Sequence, residues 1–487
     1  MNAETKIVAP PTSLAKSLTM LQVLEAQRAA FVAARPEPLS VRRDRLARLK
    51  TLLKDNADAL VAAMSADFGN RSREMSMMSD IVAGVGLANY CLKNLGKWAK
   101  PEKRHANFPL NLLGARAELR YEPKGVIGIV SPWNFPVGRT VGPRAQALAA
   151  GNRAMIKPSE FTERTSETMA ELFAKYFAEE EVATIVGGPE VGAEFCALPF
   201  DHLLFTGATS IGKHVLHAAA DNLVPVTLEL GGKSPVIIGR SADIDKAAGR
   251  IAIGKMMNSG QICLAPDYLL VPEELEARTI AALKSQVEEM FPTLLANDDH
   301  TAVINARHRD RLTGLVADAV AKGAEAIEIN PAGEDFSASN LNKLPLTLLR
   351  NVDDGMKAMQ DEIFGPVLPV KTYRKIDEAI DYINAHDHPL GLYYFGADKA
   401  EQEHVLTRTA SGGVTINDVM FHVSMDDLPF GGVGPSGMGS YHGHEGFKTF
   451  SHARSVFRQA KIDVAKLAGI RPPYGKAILR TIAQGLK

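Results

Sequence analysis

Cysteine is scarce: 487 residues contain three, Cys91, Cys196 and Cys263. Three scattered thiols build no disulfide framework and match no zinc-ligand spacing, so the expectation is a reducing, cytoplasmic setting and no metal site. An excess of charge of one sign is missing too. The 55 Lys and Arg nearly balance the 56 Asp and Glu, for a formal net charge of −1, which argues against nucleic acid or an anionic membrane as a partner. The opening MNAETKIVAPPTS lacks the basic-then-apolar profile of a secretory signal. No stretch approaches the roughly eighteen consecutive apolar residues that span a bilayer, and there is no internal repeat or low-complexity tract.

What is present suffices for more than one core. A chain of 487 residues, 46% of them hydrophobic, with 40 glycines and 27 prolines, suggests two or three domains. The first hundred residues read as helices. In SVRRDRLARLKTLLKDNADALVAAMSADFG, Leu46, Leu49, Leu53 and Leu60 fall near one face, with Asp55 a possible break and Gly69 a stop. From Ala117 the texture turns β-like, with a turn at Pro123-Lys124-Gly125. Apolar strands then alternate with helices: strands GVIGIVSP, RAMIKPS, VATIVGG and HLLFTG, and helices through RAQALAAG, Thr162 to Phe177 and SIGKHVLHAAA. The alternation resumes after Pro235 with PVIIG, DIDKAAGRIAIGKMM, YLLVP and a helix from Glu273 to Met290. This pattern predicts an α/β fold with parallel sheets covered on both faces. NPAGEDFSASNLNKLP and the glycine-rich PFGGVGPSGMGSYHG read as loops.

Two familiar patterns fail on inspection. Gly432, Gly434 and Gly437 spell G-x-G-x-x-G, but no apolar strand leads directly into them and no convincing helix follows, as a dinucleotide fingerprint requires. LGGKS resembles a phosphate-binding P-loop, but the required first glycine falls on Thr227.

Four other stretches carry chemistry, each with a plainer alternative. In FTGATSIGK, Gly207 and Gly212 bracket a strand-to-helix junction whose free N–H groups suit a pyrophosphate, or form an ordinary turn. Glu229, in VTLELGGKSP, is a carboxylate between apolar residues: a general base with raised pKa, or half of a buried salt bridge, with Lys233 the nearest partner. In SPWNFP, Asn134 is held between two prolines and is suited to donate to an oxyanion, or is a turn asparagine. In SGQICLAPDY, Cys263 is a nucleophile or a buried filler.

Taken together and in this order, SPWNFP, IKPSE, FTGATSIG, LELGGKSP, GQICLAPDY, EIFGPVLPV and PFGGVGPSGMGSYHG resemble the aldehyde dehydrogenase superfamily over nearly the whole chain. CLAPDY and SGMGSYHG look most like its class 3 branch and the coniferyl aldehyde dehydrogenases. The resemblance implies a Rossmann-like cofactor domain (1–107 and 124–229), an α/β catalytic domain (230–426), and a small β oligomerisation arm with the C-terminal segment (108–123 and 427–487). It assigns the nucleophile to Cys263, the base to Glu229, and the oxyanion donors to Asn134 and the Cys263 backbone N–H. Lys157 and Glu160 would hold the adenosine ribose. Gly207, Ala208, Thr209, Ser210, Ile211 and Gly212 would lie at the pyrophosphate. Glu362 would hold the nicotinamide ribose, with Phe364 near the nicotinamide. The SYHG run and SHARSVF would meet a partner subunit in a homodimer.

The implied reaction is NAD-dependent oxidation of an aromatic or medium-chain aldehyde to the acid, with NADP as a possible cofactor. An unperturbed thiol of pKa about 8.5 is only a few per cent ionised at pH 7; a helix terminus, the cationic nicotinamide and a nearby base would each raise that fraction. A coenzyme-A-acylating enzyme and a non-catalytic protein retaining the fold are the alternatives.

Overall fold

The leucine stripe near the N-terminus is buried as its spacing predicts. Leu46, Leu49, Leu53 and Leu60 are inaccessible and lie on helices Leu39–Asp55 and Ala57–Phe68. The break falls at Asn56, just past Asp55. Gly69 closes the second helix with φ +75°, a left-handed conformation that glycine adopts at least cost. The computed structural model describes residues 12–487 apart from Pro109; residues 1–11, the beginning of the expected cofactor part, lie outside the described residues.

The alternating middle of the chain forms two largely parallel sheets. The first has the order Gly437–Met438, Val226–Glu229, His202–Thr206, Val126–Val130, Arg153–Lys157, Val182–Thr184. Its pairs are parallel except at the Gly437–Met438 edge, which runs antiparallel to Val226–Glu229. The strand earliest in sequence, Val126–Val130, lies inside the sheet, and the order reverses between it and His202–Thr206. A doubly wound sheet binds ligands beyond the carboxyl ends of the strands at such a reversal. The glycine-rich segment 432–437 ends in the antiparallel edge strand and does not lead directly into a helix, in keeping with its rejection as a fingerprint.

The second sheet has seven strands, in the order Glu325–Ile329, Leu346–Arg350, Val367–Tyr373, Tyr268–Pro272, Pro235–Ile238, Gly391–Phe395, Gly413–Ile416. All its pairs are parallel except the first. Pro235–Ile238, Tyr268–Pro272 and Gly391–Phe395 are buried throughout, which is why they read as unbroken apolar runs. A third, antiparallel sheet pairs Glu102–Arg104 and Ser451–Arg458 with the two sides of Arg116–Pro123. The helix read through RAQALAAG begins earlier, at Gly138, and runs to Ala150 with Pro143 inside it. Gly142 and Pro143 read locally as breakers, but every residue from Thr140 to Ala150 is buried, and that packing overrides propensity.

The helical run Arg73–Trp98 is long and apolar enough to cross a membrane by length and composition, which local charge obscured in the sequence. Here it packs Leu87, Cys91 and Leu95 inward and includes a π-helical segment, Met77–Val82. On that segment the Asp80 carboxylate pairs with Arg71 at 3.0 Å, both side chains fully buried. Asp80 also accepts from the Gly138 N–H at 2.8 Å. Arg71 donates to the Asn134 carbonyl at 3.1 Å and to Asn258 Oδ1 at 3.3 Å. One ion pair thus ties the N-terminal helices to the turn after the central strand and to the turn before Cys263. Removing one partner of such a pair strands the other charge, at a cost of about 3–5 kcal/mol. Arg71→Met is therefore expected to lower the urea-unfolding midpoint sharply, and adding Asp80→Leu to recover part of the loss. A single variant as stable as the parent would contradict this role.

Candidate active site

Four of the residues singled out from the sequence sit at the carboxyl edge of the six-stranded sheet. Lys157 and Glu229 are the last residues of their strands, Gly207 follows Thr206, and Asn134 lies four residues beyond Val130. Strand direction alone brings them to one side.

Cys263 reaches the same region through a strained turn. The helix Ile244–Met256 ends, and Asn258, Ser259 and Gly260 follow with φ of 51°, 51° and 72°. Two non-glycine residues in succession in the left-handed region are costly and persist only where neighbours hold them. The holding contacts are many. Asn258 Nδ2 donates to the carbonyls of Asn134 and Gln261 at 3.1 and 3.2 Å. Ser259 Oγ donates to the Thr301 carbonyl. Gln261 Nε2 donates to the carbonyls of Asn258 and Ala302 at 2.9 and 3.0 Å, and its Oε1 accepts from the Ile304 N–H at 2.9 Å. Gly260 is obligatory, because a Cβ there would sit 2.5 Å from the Gly365 carbonyl oxygen. The side-chain amide of Asn134 donates to the Gln261 carbonyl at 3.1 Å. One of its two N–H bonds is thereby engaged and the other is left over.

Burial raises all three thiols: Cys91 to about 12, and Cys196 and Cys263 each to about 11. What separates Cys263 is access, since it is partly exposed while the other two are buried. The sequence-based expectation of a helix terminus at the thiol is corrected. Cys263 is followed by a turn and then the strand Tyr268–Pro272, and no helix starts at it.

The acidic groups fall into two kinds. Asp267 is fully engaged: it pairs with Lys233 and accepts from the Ile363 N–H at 2.9 Å. Lys233 also donates to the carbonyls of Ala358 and Asp361. This overturns Lys233 as a partner for Glu229. Both Glu229 carboxyl oxygens are buried and lack any hydrogen-bond partner among the described residues; burial pushes the group well above the usual carboxylate range, against the pull of Arg139. Glu362 likewise has an unpartnered Oε1 and is raised to about 8 by burial and by Asp267, against the Gly232 N–H, Lys233 and Arg311. It lies against Gly231, where a Cβ would come within 2.0 Å of its carboxyl oxygen, so the second residue after Glu229 must be glycine for Glu362 to fit.

Along the sheet edge, the buried Lys157 ammonium donates to the Pro158 carbonyl at 2.9 Å and meets Glu160 at 3.3 Å. Ala208 precedes the helix Thr209–Ala220, with Ser210 and Ile211 exposed in its first turn. The Gly207 N–H donates to the Glu229 carbonyl at 3.0 Å, and Gly212 lets the helix close on Leu230, which a Cβ would meet at 2.7 Å. Phe364 adopts φ +50°, and its ring lies 5.3 Å from that of Trp133.

Sequence reading missed Arg71, Asp80, Gln261, Asp267 and Arg139. Gln261 and Asp267 lay inside a recognised motif but were not assigned; nothing local marked the others. Tyr441 of the SYHG run, expected at a subunit contact, is buried within this chain, and its hydroxyl accepts from Arg139 Nη1 at 3.2 Å.

Residues 4–456 match the Aldehyde dehydrogenase family. The chain is 53% identical over its full length to the full length of a Caulobacter vibrioides protein named "Probable coniferyl aldehyde dehydrogenase". It is 52% identical, over 93% of its length and 94% of the relative's, to the coniferyl aldehyde dehydrogenase of a Pseudomonas species. The structure of Staphylococcus aureus AldH in a substrate-bound state superposes with a TM-score of 0.89 at 34% identity, covering 96% of this chain and 99% of the other. The chain belongs to the aldehyde dehydrogenase family, the oxidoreductases that act on an aldehyde group with a nicotinamide cofactor.

Proposed function

We propose that this enzyme oxidises aromatic aldehydes of the coniferaldehyde type, or medium-chain aldehydes, to carboxylic acids with NAD, through a covalent intermediate on Cys263. The observation that carries this reading is the pairing of a partly exposed thiol with a buried, unpartnered Glu229 carboxyl beside an oriented Asn134 amide. The names of the half-identical relatives support the substrate class.

The residues present fit a nicotinamide dinucleotide. Lys157 and Glu160 would hold the adenosine ribose, and residues 207 to 212 the pyrophosphate at a helix N-terminus. Glu362, whose Oε1 lacks a partner among the described residues, would take the nicotinamide ribose, with Phe364 beside the ring. When bound, the oxidised nicotinamide supplies the hydride acceptor.

The protein groups act as follows. Cys263 loses its proton, and the sulfur attacks the aldehyde carbon. The carbonyl oxygen gains the electron pair and is held by the free N–H of Asn134 and the Cys263 backbone N–H. After oxidation the acyl group is a thioester on Cys263. Glu229 takes a proton from water, whose oxygen attacks the thioester; the carbonyl reforms and the thiolate leaves. Hydrolysis needs a base because the nucleophile is occupied, and burial, which holds Glu229 above the usual carboxylate range, makes its carboxylate a stronger proton acceptor than an exposed one. On the same reading, residues 1–107 and 124–229 bind cofactor, 230–426 carry the thiol, and 108–123 with 427–487 join two copies in a dimer.

NADH formation from coniferaldehyde, with and without coenzyme A, tests the reading. The product should be the free acid in both cases, and Cys263→Ala should abolish turnover while leaving NAD binding intact. Turnover by that variant would refute the nucleophile. Glu229→Gln should give a burst of NADH followed by slow turnover; equal loss of both phases would instead place Glu229 in thiol activation. Glu160→Gln should narrow a preference for NAD over NADP, since a carboxylate at the ribose repels a 2′-phosphate. A parent enzyme that prefers NADP would overturn that assignment.

A further inference from the structure

Lys124 precedes the strand Val126–Val130, at the amino edge of the six-stranded sheet and so opposite the edge that carries Glu229 and Asn134. Strands of five residues, at about 3.3 Å per residue, hold the two edges roughly 16 Å apart. The Lys124 ammonium lies 2.9 Å from Nδ1 of His202, the first residue of the neighbouring strand. His202 Nε2 lies in turn 2.9 Å from the Thr227 hydroxyl. An ammonium can only donate, so Nδ1 accepts from Lys124 and Nε2 carries the N–H that Thr227 accepts. That tautomer is the neutral imidazole, and burial, then Lys124, lowers the His202 pKa to about 3.

Beside Lys124, the root of the antiparallel sheet meets the amino edge of the parallel one around a cavity of about 350 Å³, within the range of small-molecule sites. Pro123 and Pro225 give it apolar walls, and the exposed Arg35 and His452 line it too. Its two carboxylates are turned to other groups. Glu122 meets Arg454 at 3.1 Å; Asp201 accepts from the Val126 N–H at 2.8 Å and faces Arg28 at 4.0 Å. Arg35 donates to the Pro123 carbonyl at 3.2 Å. Lys124 forms no ion pair among the described residues, and burial lowers its pKa to about 8. Lys255 is also brought to about 8, but it is buried. Lys343 is lowered as well, but it is caged by the carbonyls of Leu294, Leu295 and Asn297. Of these three lysines, Lys124 alone lines a cavity with one N–H anchored and the rest of the amine free.

We propose that Lys124 is an aldehyde-capturing amine: the cavity seats a small aromatic or aliphatic aldehyde between Pro123 and Pro225, and the lysine nitrogen, held by His202, forms an imine with it. The ammonium first releases a proton to solvent, and the nitrogen lone pair attacks the carbonyl carbon. A proton passes from nitrogen to the former carbonyl oxygen, and the hydroxyl then leaves with a second proton as water. A C=N bond replaces C=O, and nothing is oxidised. The protonated imine keeps one N–H, so the bond to His202 Nδ1 survives the reaction. A lysine desolvated in this way is the form in which the residue serves as an amine nucleophile. The site needs no cofactor and stands apart from the Cys263 chemistry; it draws only on the aldehydes on which the family acts.

The test traps the imine. The full-length protein is incubated at about pH 7 with benzaldehyde and sodium cyanoborohydride, NAD omitted, and the secondary amine formed at each lysine is quantified by peptide mass spectrometry. An amine of pKa about 8 is roughly a tenth unprotonated at that pH, and an ordinary lysine less than about a thousandth. Lys124 should therefore be labelled about tenfold or more faster than the exposed Lys54, and the buried Lys255 should stay unlabelled. His202→Leu should release the side chain into water and cut Lys124 labelling several-fold. His202→Gln, whose carbonyl oxygen can accept the same N–H, should retain most of it. A thiohemiacetal on Cys263 has no C=N bond to reduce, so Cys263→Ala should leave the lysine pattern unchanged, and failure of the nucleophile reading would not alter this result. Labelling of Lys124 in the parent no faster than that of Lys54 would overturn the proposal whether or not the variants fold. Lys255 labelled as fast as Lys124, or His202→Leu labelled like the parent, would overturn it too.

Discussion

The buried Arg71–Asp80 pair is the constraint on which the site's geometry depends. Neither residue faces water, so each must find all its partners inside the protein, and those partners belong to different parts of the chain. Asp80 holds the first N–H of the helix Gly138–Ala150. Arg71 holds the carbonyl of Asn134 and the side chain of Asn258, and lies over the rings of Phe68 and Phe135. The desolvation of two charges offsets much of their attraction, so the pair's main effect is geometric. It sets the turn that aims the Asn134 amide and the turn that presents Cys263 at one fixed separation. The π-helical segment that carries Asp80 is a local departure of the kind found at functional sites.

A second contrast organises the carboxylates. Asp267 is partnered by Lys233 and a backbone N–H, and it fastens the GGKSP, APDY and EIFGP stretches together as scaffold. Both oxygens of the buried Glu229 and Oε1 of the partly exposed Glu362 lack a hydrogen-bond partner among the described residues, and burial is the first cause holding both groups above the usual range. Unsatisfied buried carboxyl oxygens are expensive, and Glu229 and Glu362 are two of the positions where the structure bears that cost. The turn at Asn258 and Ser259 fits the same pattern, as left-handed backbone held by its neighbours.

The order of strands and helices was legible in the sequence because buried parallel strands are continuous apolar runs and surface helices are periodic. Leu46, Leu49, Leu53 and Leu60 show the second signal, and Pro235–Ile238 and Tyr268–Pro272 the first. Glu229 stood out because it interrupts such a run with a carboxylate, Asn134 because prolines flank it on both sides, and Cys263 because it lies between a Gly-Gln pair and a proline. The family resemblance supplied their proposed roles.

What the sequence by itself determined was therefore the alternation of elements and the polar residues placed at strand ends, since both arise from contacts between near neighbours. Tertiary structure alone decided which charges are paired. Lys233 lies four residues from Glu229 yet takes Asp267, and Arg139 meets Tyr441 from far along the chain. It also decided that Cys263 is distinguished by access and not by a lower pKa. Burial, counter-ions and left-handed turns depend on residues that meet only when sheets and helices close, and no local pattern encodes that meeting.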